Sequence, residues 1–222
     1  EIHPNYFQIP IADKEEIIKD QSSKQEDQEN TDEDDVDTET DSTSEPLKKK
    51  PPKKLNFYHK YRIQEVIKKG QIILVQVAKE ERGNKGAALT TFISLAGRYC
   101  VLMTNTIRKG GISRRITHSN DRKKLRSIIE GLNIPESMGV IIRTAGSKMN
   151  KLEIKRDYNF LNKTWETIKS ETLKSVAPSL IHEENNIIKR GIRDLYTAEV
   201  DEILVQGSSA YKEAKKYMKN LM

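Results

Sequence analysis

Residues 79–99 have the sequence KEERGNKGAALTTFISLAGRY, and this stretch decides the fold. Its charged first part contains two glycines, Gly83 and Gly86, and lies between two apolar segments, 72–77 and 87–95. Glycines between two apolar segments of strand length are typical of a β-hairpin turn. The pattern therefore predicts a hairpin with a charged tip that carries Arg82 and Lys85, where the glycines would let a nucleic-acid backbone approach closely.

Further elements are predicted on the C-terminal side of this stretch. The apolar segments 99–103 and 140–142 predict two more strands, and 108–115 is predicted to be a glycine-containing basic loop. The spacing of apolar residues predicts a long amphipathic helix over 150–174, with Trp165 in the core, and Pro178 ends that pattern. The remaining predictions are a helix over 121–132 capped by Ser119 or Asn120, a helix over 185–196, a strand over 202–205, and a helix over 208–221 capped by Ser208.

The N-terminal side divides into a short ordered start and a polar insertion. Asp13 followed by Glu16 predicts a helix cap before two isoleucines. Residues 21–54 have almost no large apolar side chains, so we predict a disordered insertion. The insertion's basic end, 48–54, could contact RNA phosphates, pair with the acidic block before it, or stay solvated.

The charge of the chain is divided between two opposed regions. Residues 25–45 carry eleven acidic side chains and no Lys or Arg. Because the net charge of the whole chain is +6, the rest of the chain has a net charge of +17. A strongly basic remainder suits a polyanionic partner, although a Lys-rich soluble surface would give the same composition.

Several kinds of site are excluded or left without support. The sequence has none of the common motifs for zinc proteases, dithiol redox sites, serine hydrolases or phosphate loops, and its four histidines are scattered, which favours structural or surface roles. The single cysteine, Cys100, excludes an internal disulfide, fits a reducing cytosol, and is predicted to be a buried thiol. No spacing pairs the conceivable carboxylates, so no catalytic or metal-binding residue is predicted; the carboxylates considered are Asp157, Asp194, Asp201 and Glu202.

Two segments suit phosphate binding. Gly110-Gly111-Ile112-Ser113-Arg114-Arg115 combines exposed backbone N–H groups, a hydroxyl and two guanidinium groups, and Arg143-Thr144 offers a bidentate cation beside a hydroxyl. The alternative for Arg143 is a surface arginine beside a turn. Phe92, on the strand after the hairpin tip, suits either base stacking or the core.

Together these segments resemble the ribonuclease E/G family. The resemblance rests on 66–71, 75–77, 79–99, 110–115, 138–139, 143–146 and 192–194, and KEERGNKGAALTT is its most specific part. It extends from residue 1 to the end, apart from the insertion, and the opening EIHPNYFQIP looks like the alphaproteobacterial version.

The resemblance implies an α+β fold built from a partial S1 (OB-fold) β-barrel, a 5′-sensor region and the start of an RNase-H-like subdomain. The expected boundaries are 1–20 and 55–91 for the partial S1 domain, 21–54 for the insertion, 92–175 for the sensor and 176–222 for the last part. It also implies site residues at the matching positions. The 5′-monophosphate of RNA would be bound by the side chains of Arg143 and Thr144 and enclosed by backbone N–H groups near Gly97 to Val101. RNA would also be contacted by Lys85, with Arg82, Arg114 and Arg115 added from the basic loops.

The implied function is that of a segment of a cytoplasmic endoribonuclease, also expected at the inner membrane face, that acts on single-stranded RNA in rRNA processing and mRNA decay. The expected partners are 5′-monophosphorylated RNA, further copies of the full-length chain and proteins of an RNA-degradation complex. Because the chain does not begin with Met, we expect a piece of a longer protein. The catalytic aspartates that bind Mg²⁺ and the cysteines of the Zn²⁺ link would lie beyond Met222, so this chain alone is expected not to cut RNA. The alternatives are a stand-alone RNA-binding protein and an inactive truncated gene product.

Overall fold

The computed structural model describes residues 1–15, 17, 61–106, 110–184, 186–197 and 199–221. Within them the chain forms two compact units, one of residues 2–73 and one of residues 74–222 together with Glu1. The predicted disordered insertion, 21–54, lies outside the described residues. Among those residues no helix is long and apolar enough to cross a membrane.

The first unit is a small cluster of short helices around Phe7, Ile17 and Val66. The helical segments among its described residues are a 3-10 turn at Pro4–Tyr6, a helix over 11–15 and a single turn at Ile63–Val66. His3 is buried, and its Nδ1 accepts a hydrogen bond from the backbone N–H of Asn5 at 3.1 Å, which caps the first turn. This confirms a structural role for that histidine.

The predicted cap at Asp13 is wrong. Asp13 lies inside the helix over 11–15, and its carboxylate accepts a hydrogen bond from the hydroxyl of Tyr61 at 2.5 Å. The Asp13 side chain, which the local pattern assigned to capping the helix, is therefore bound instead by Tyr61, a residue far away in the sequence. Glu16, the other half of the predicted cap, lies outside the described residues.

The predicted hairpin is confirmed in the second unit. Strand β1 (Gln76–Lys79) pairs antiparallel with β2 (Ala88–Thr90), and at the tip Arg82 and Lys85 exchange backbone hydrogen bonds of 3.0 and 3.1 Å. Gly83 has φ +58°, a value that favours glycine, so the turn needs it there. β1 begins four residues after the predicted start at residue 72, and the predicted strand 87–95 is two strands. Between these two strands the N–H of Phe92 donates to Thr90 Oγ1 at 3.1 Å.

The main sheet has four strands in the order β3-β4-β6-β5. They are β3 (Ser94–Ala96), β4 (Cys100–Met103), β5 (Gly110–Ile112) and β6 (Gly139–Ile142), with β5 parallel to β6 and the other pairs antiparallel. The strands predicted at 99–103 and 140–142 are confirmed, and so is the α+β class. In the described part of the chain the strands form this sheet and the hairpin, and no closed barrel.

The basic loop predicted over 108–115 is wrong at its centre, where β5 lies. A pair of glycines in the sequence is typical of a loop, but here the glycines allow β5 to pair closely with β6. Gly110 has φ +113°, and a Cβ there would lie 2.2 Å from the carbonyl oxygen of Val140 on β6. Arg108 and Lys109 lie outside the described residues.

The described part of this unit also contains four helices: α1 (Ser119–Glu130), α2 (Lys151–Lys174), α3 (Ile187–Leu195) and α4 (Ser208–Leu221). The long helix predicted over 150–174 is confirmed and begins with a capping box between Asn150 and Glu153. The predicted caps of α1 (Ser119 or Asn120) and α4 (Ser208) are wrong. The residue at the N-cap of α1 is His118, whose side chain makes no cap hydrogen bond. At the start of α4 the carbonyl oxygen of Gly207 accepts the first helical hydrogen bond, from Tyr211 N–H at 2.9 Å, so Gly207 precedes the helix at the cap position.

The strand predicted over 202–205 is also wrong. This segment is not in a strand, and Leu204 in its centre is 85% exposed, so no strand of the described residues covers it. The main core instead lies between the sheet and α1 and α2. From α2 it takes Ile154, Tyr158, Leu161 and Ile168, and Trp165 packs partly buried against it, as predicted.

Candidate functional site

Three chain segments meet at one edge of the main sheet. The turn 97–99 precedes β4, the loop from Ser113 follows β5, and the turn from Arg143 follows β6. Because β5 is parallel to β6 and β4 is antiparallel to it, Ile112 and Cys100 both align with Ile142 at this edge. The N–H of Ser113 bonds to Ile142 O at 2.9 Å and that of Arg143 to Tyr99 O at 2.8 Å. The fold therefore brings together segments that are far apart in the sequence.

Arg143 is the central cation of this edge. Its Nη1 donates to the carbonyl oxygen of Gly97 at 2.5 Å and forms an ion pair with Asp194 Oδ1 at 3.0 Å. The side chain is 31% exposed, and its Nη2 and Nε have no hydrogen-bond partner among the described residues. One edge of the planar guanidinium is thus available for an oxyanion, which it can bind through two parallel N–H bonds.

Thr144 is the next residue in the chain. It is the exposed first residue of a 3-10 turn, Thr144–Gly146, and its hydroxyl likewise has no partner in the described part of the chain. The turn packs tightly, because a Cβ on Gly146 would lie 2.8 Å from the carbonyl oxygen of Tyr99. A hydroxyl and a guanidinium edge, both with open hydrogen-bonding capacity, therefore sit on consecutive residues of a well-packed turn.

Gly97 contributes a carbonyl oxygen to the site. The backbone N–H groups of residues 97–100, expected to help enclose a phosphate, are engaged inside the protein. That of Gly97 bonds to Cys100 O at 2.8 Å. Those of Arg98, Tyr99 and Cys100 bond to the Asp157 carboxylate at 3.0, 2.8 and 2.9 Å. Val101, half-buried in β4, pairs with Ala96 and Ile141.

The other predicted RNA-binding residues are exposed. Arg114 and Arg115 lie in the loop after β5, and Arg122 Nη1 donates to the carbonyl oxygens of Ser113 and Ile116 (3.4 and 3.2 Å), which fixes this loop to α1. Arg82 and Lys85 lie at the tip of the separate two-stranded sheet. Phe92 is partly buried between β2 and β3.

A network of charged side chains from α3 supports Arg143. Arg193 is only 11% exposed, and it binds Asp194 through Nε and Nη2 (3.1 and 2.9 Å) and Glu184 through Nη1 (3.1 Å). Hydrogen bonding from Arg193, and then from Arg143, holds the pKa of Asp194 below its usual value. Sequence reasoning considered Asp194 but found no partner for it, since Arg143 is 51 residues away.

Arg98 extends this network to the end of α3. Its Nη2 donates to the carbonyl oxygen of Tyr196 at 2.7 Å, and its guanidinium carbon lies 5.1 and 5.5 Å from the ring centres of Tyr99 and Tyr196. Both distances suit cation–π contacts. The turn 97–99 is thereby attached to α3 as well as to α2.

The carboxylates of this region are unsuited to a divalent metal. Both oxygens of Asp157 accept backbone N–H bonds, and those of Asp194 are bound by two arginines. Across the described residues no group of three or more His, Cys, Asp or Glu side chains could hold a metal ion. What the site offers in the described residues is hydrogen-bond donors, the Nη2 and Nε groups of Arg143, which suit an anion rather than a cation.

A groove of about 400 Å³ is lined by residues of α2, α3 and α4. Phe160 and Tyr217 meet edge to face in it, with ring centres 5.9 Å apart, and Arg193 and Glu184 form part of its wall. Lys189 and Glu213, also in the lining, form an ion pair of 3.2 Å. The lining therefore contains two ion pairs, Lys189–Glu213 and Arg193–Glu184.

Comparison with known proteins agrees with the resemblance in the sequence. The sequence model of the "Ribonuclease E/G family" matches residues 94–222. Ribonuclease E of Escherichia coli is 47% identical over 156 residues, which are 70% of this chain and 15% of that protein. Ribonuclease E of Haemophilus influenzae is 45% identical over 157 residues (71% of this chain, 17% of that protein). Ribonuclease G of the same organism is 32% identical over 160 residues (72% and 32%).

The chain thus spans between 15% and 32% of the length of these three relatives. The matched region includes all four strands of the main sheet and the edge that carries Arg143. The chain belongs to the ribonuclease E/G family.

Proposed function

We propose that this chain is the RNA-gripping part of an endoribonuclease that acts on single-stranded RNA, and that Arg143 and Thr144 bind the 5′-monophosphate of the substrate. The names of the relatives support the enzyme class. The observation that supports the binding site is the guanidinium edge of Arg143, which lacks a partner among the described residues and is followed in the chain by the exposed Thr144.

The chemistry of the site suits a terminal phosphate. A phosphate monoester carries a charge of about −1.5 to −2 at pH 7 and three acceptor oxygens, so it can take two N–H bonds from Arg143 and one O–H bond from Thr144. A 5′-hydroxyl offers no anion to the guanidinium. A triphosphate brings extra charge and bulk that this pair of side chains leaves unpaired, which disfavours it.

The carbonyl of Gly97 and the carboxylate of Asp194 hold Nη1, and this directs Nη2 and Nε of Arg143 away from them. Val101 is retained as a predicted contact from β4, and Arg114 and Arg115 as phosphate contacts on the neighbouring loop. In the proposed enzyme these groups orient the RNA. We assign the cutting step, with its Mg²⁺, and the Zn²⁺-linked assembly to residues outside the described part of the chain. The proposed enzyme acts in RNA processing and decay, together with proteins of a degradation complex.

The experiment compares the affinity of the 222-residue chain for one short RNA carrying a 5′-monophosphate, a 5′-triphosphate or a 5′-hydroxyl. We expect the monophosphate to bind tightest, and Arg143→Ala to weaken its binding roughly ten- to a hundredfold, the value of one or two charged hydrogen bonds. Lys123→Ala, which removes one exposed positive charge from α1, is the matched control and should change all three affinities equally. A wild-type chain that binds the three RNAs equally would exclude the 5′-end site.

A stand-alone RNA-binding module is the second candidate, and the charged hairpin tip with Arg82 and Lys85 favours it. Such a module binds RNA through phosphate contacts along the strand, so its affinity falls with salt but does not depend on the 5′ group. The same three RNAs therefore separate the two candidates.

A further inference from the structure

We propose that Asp157, on α2, is a positioning residue for the Arg143 site: its buried carboxylate fixes the turn 97–100, and carbonyl groups of that turn hold Arg143. The inference rests on the proposed function, because it explains how the phosphate-binding guanidinium is kept in place. Asp157 lies in the apolar face of α2 and would have no contact with RNA.

The carboxylate of Asp157 is 4% exposed and organises three consecutive backbone N–H groups. Oδ1 accepts from Arg98 at 3.0 Å, and Oδ2 accepts from Tyr99 at 2.8 Å and from Cys100 at 2.9 Å. Successive N–H groups that converge on one anion form a concave backbone cradle, which is a common anion-binding arrangement. Here a side chain of the protein itself fills the cradle and fixes its shape.

The contact between α2 and the turn is too tight to admit another side chain. A Cβ built on Gly97 would lie 2.4 Å from Asp157 Oδ2 and 2.7 Å from Oδ1. A Cβ on Gly146 would likewise lie 2.8 Å from Tyr99 O of the same turn. The turn 97–100 thus packs closely against both the Asp157 carboxylate and the turn that carries Arg143 and Thr144. A displacement of the carboxylate should therefore also move the turn that carries Arg143.

Two carbonyl groups of this turn bind Arg143 directly. Tyr99 O accepts the backbone N–H of Arg143 at 2.8 Å, and Gly97 O accepts its Nη1 at 2.5 Å. Both the backbone and the side chain of Arg143 therefore depend on where the turn lies. Asp157 determines that position through the N–H groups of the same turn, and so acts on the phosphate site indirectly, through the turn.

Asp157→Asn tests this with almost no change in shape. A carboxylate has two acceptor oxygens, whereas an amide has one oxygen and one NH₂ group. In the variant at least one of the three N–H groups would face an NH₂ group, and charge-assisted bonds would become neutral ones. The turn should then shift or loosen, and Arg143 with it.

The measurement is the ratio of affinities of the full 222-residue chain for 5′-monophosphorylated and 5′-hydroxyl RNA of one sequence. We expect Asp157→Asn to lower this ratio by about tenfold while the affinity for 5′-hydroxyl RNA stays within about twofold of wild type. The control is Glu166→Gln, which removes an exposed carboxylate from the same helix and should leave the ratio unchanged. Circular dichroism reports whether each variant is folded.

The outcomes separate the two proposals. A folded Asp157→Asn variant that keeps the wild-type ratio, or that loses both affinities equally, overturns the positioning role and leaves the proposed function intact. A wild-type chain with no preference for the monophosphate removes the proposed function and this inference together.

Should Asp157→Asn not fold, the wild-type chain still tests the role by nuclear magnetic resonance. The amide resonances of residues 98–100 should shift when 5′-monophosphorylated RNA is added and not when 5′-hydroxyl RNA is added. Resonances that stay unchanged with both RNAs would overturn the coupling between the turn and the site.

Discussion

Nη1 of Arg143 lies 3.0 Å from Oδ1 of Asp194, so the arginine proposed to bind a phosphate already holds one anion of the protein. Asp194 is shared, because Arg193 binds both of its oxygens. The pair leaves Nη2 and Nε of Arg143 for a ligand but lowers the positive charge of the site. A ligand must therefore offer a strong, multivalent anion to gain from binding, and a phosphate monoester does so.

The first prediction concerns acid stability. Arg193 and Arg143 hold the pKa of Asp194 below its usual 3.8, so the folded chain binds this proton less readily than the unfolded chain does. A carboxylate with a lowered pKa stabilises the fold fully above its unfolded pKa, and this contribution is lost as the pH falls through the lower folded pKa. We expect Asp194→Asn to be less stable than wild type near neutral pH, with the difference shrinking as the pH falls below 3.8.

The measurement is the thermal unfolding midpoint of both proteins across that pH range. Asp201→Asn is the matched control, since Asp201 is exposed and lies outside the network around Arg143. A wild-type and an Asp194→Asn protein whose midpoints stay the same distance apart at every pH would contradict the prediction.

The second prediction concerns Gly97. A methyl group there would collide with the Asp157 carboxylate, so we expect Gly97→Ala to lower the free energy of unfolding by about 1–3 kcal/mol, the usual cost of overpacking a tight contact. Gly86→Ala is the control, because a Cβ at Gly86 meets nothing within 4 Å. Denaturant titrations of the two variants measure the difference. Equal stabilities would show that the turn can move away from α2 without any cost in stability.

The elements that the sequence predicted correctly are those whose pattern is local. The one-face apolar spacing of 150–174 and the glycine turn between β1 and β2 each define their structure within a few residues. The wrong assignments at 108–115 and 202–205 depend on a distant partner. β5 exists because its glycines fit against β6, and 202–205 is not a strand because nothing pairs with it among the described residues.

The candidate site shows the same division. Arg143 and Thr144 were found by residue type, since a guanidinium and a hydroxyl beside a glycine suit a phosphate. Asp157 was considered only as a metal ligand, because the carboxylate's backbone partners are 57 to 59 residues away in sequence. The pair between Arg143 and Asp194 likewise requires that α3 pack beside the end of β6, which no local pattern states.

The third prediction concerns the reactivity of Cys100. Its thiol is fully buried and donates to Asp157 Oδ2 at 3.3 Å. Burial, followed by the nearby carboxylate, raises its pKa far above that of a free thiol, and only the thiolate reacts quickly. We expect a disulfide reagent to leave the native chain unmodified and to modify it completely in denaturant.

Ser209→Cys provides the comparison within one molecule, because residue 209 is exposed on α4. The introduced thiol should react at the rate of a free cysteine while Cys100 does not. Rapid reaction of the wild-type native chain would show that β4 and α2 open readily, which would also weaken the positioning role of Asp157.

The fourth prediction separates the hairpin tip from the 5′-end site. Arg82 and Lys85 are exposed on the two-stranded sheet, and their proposed contacts are with phosphates along the strand. Replacing both with Ala should weaken the binding of monophosphorylated and hydroxyl RNA equally. The slope of log affinity against log salt concentration should become shallower by about 0.7 for each phosphate that these two side chains no longer neutralise. Lys123→Ala with Lys124→Ala removes the same charge from α1 and should leave the slope unchanged. If the hairpin variant instead lost only its preference for the monophosphate, the two basic regions would have to bind the same phosphate.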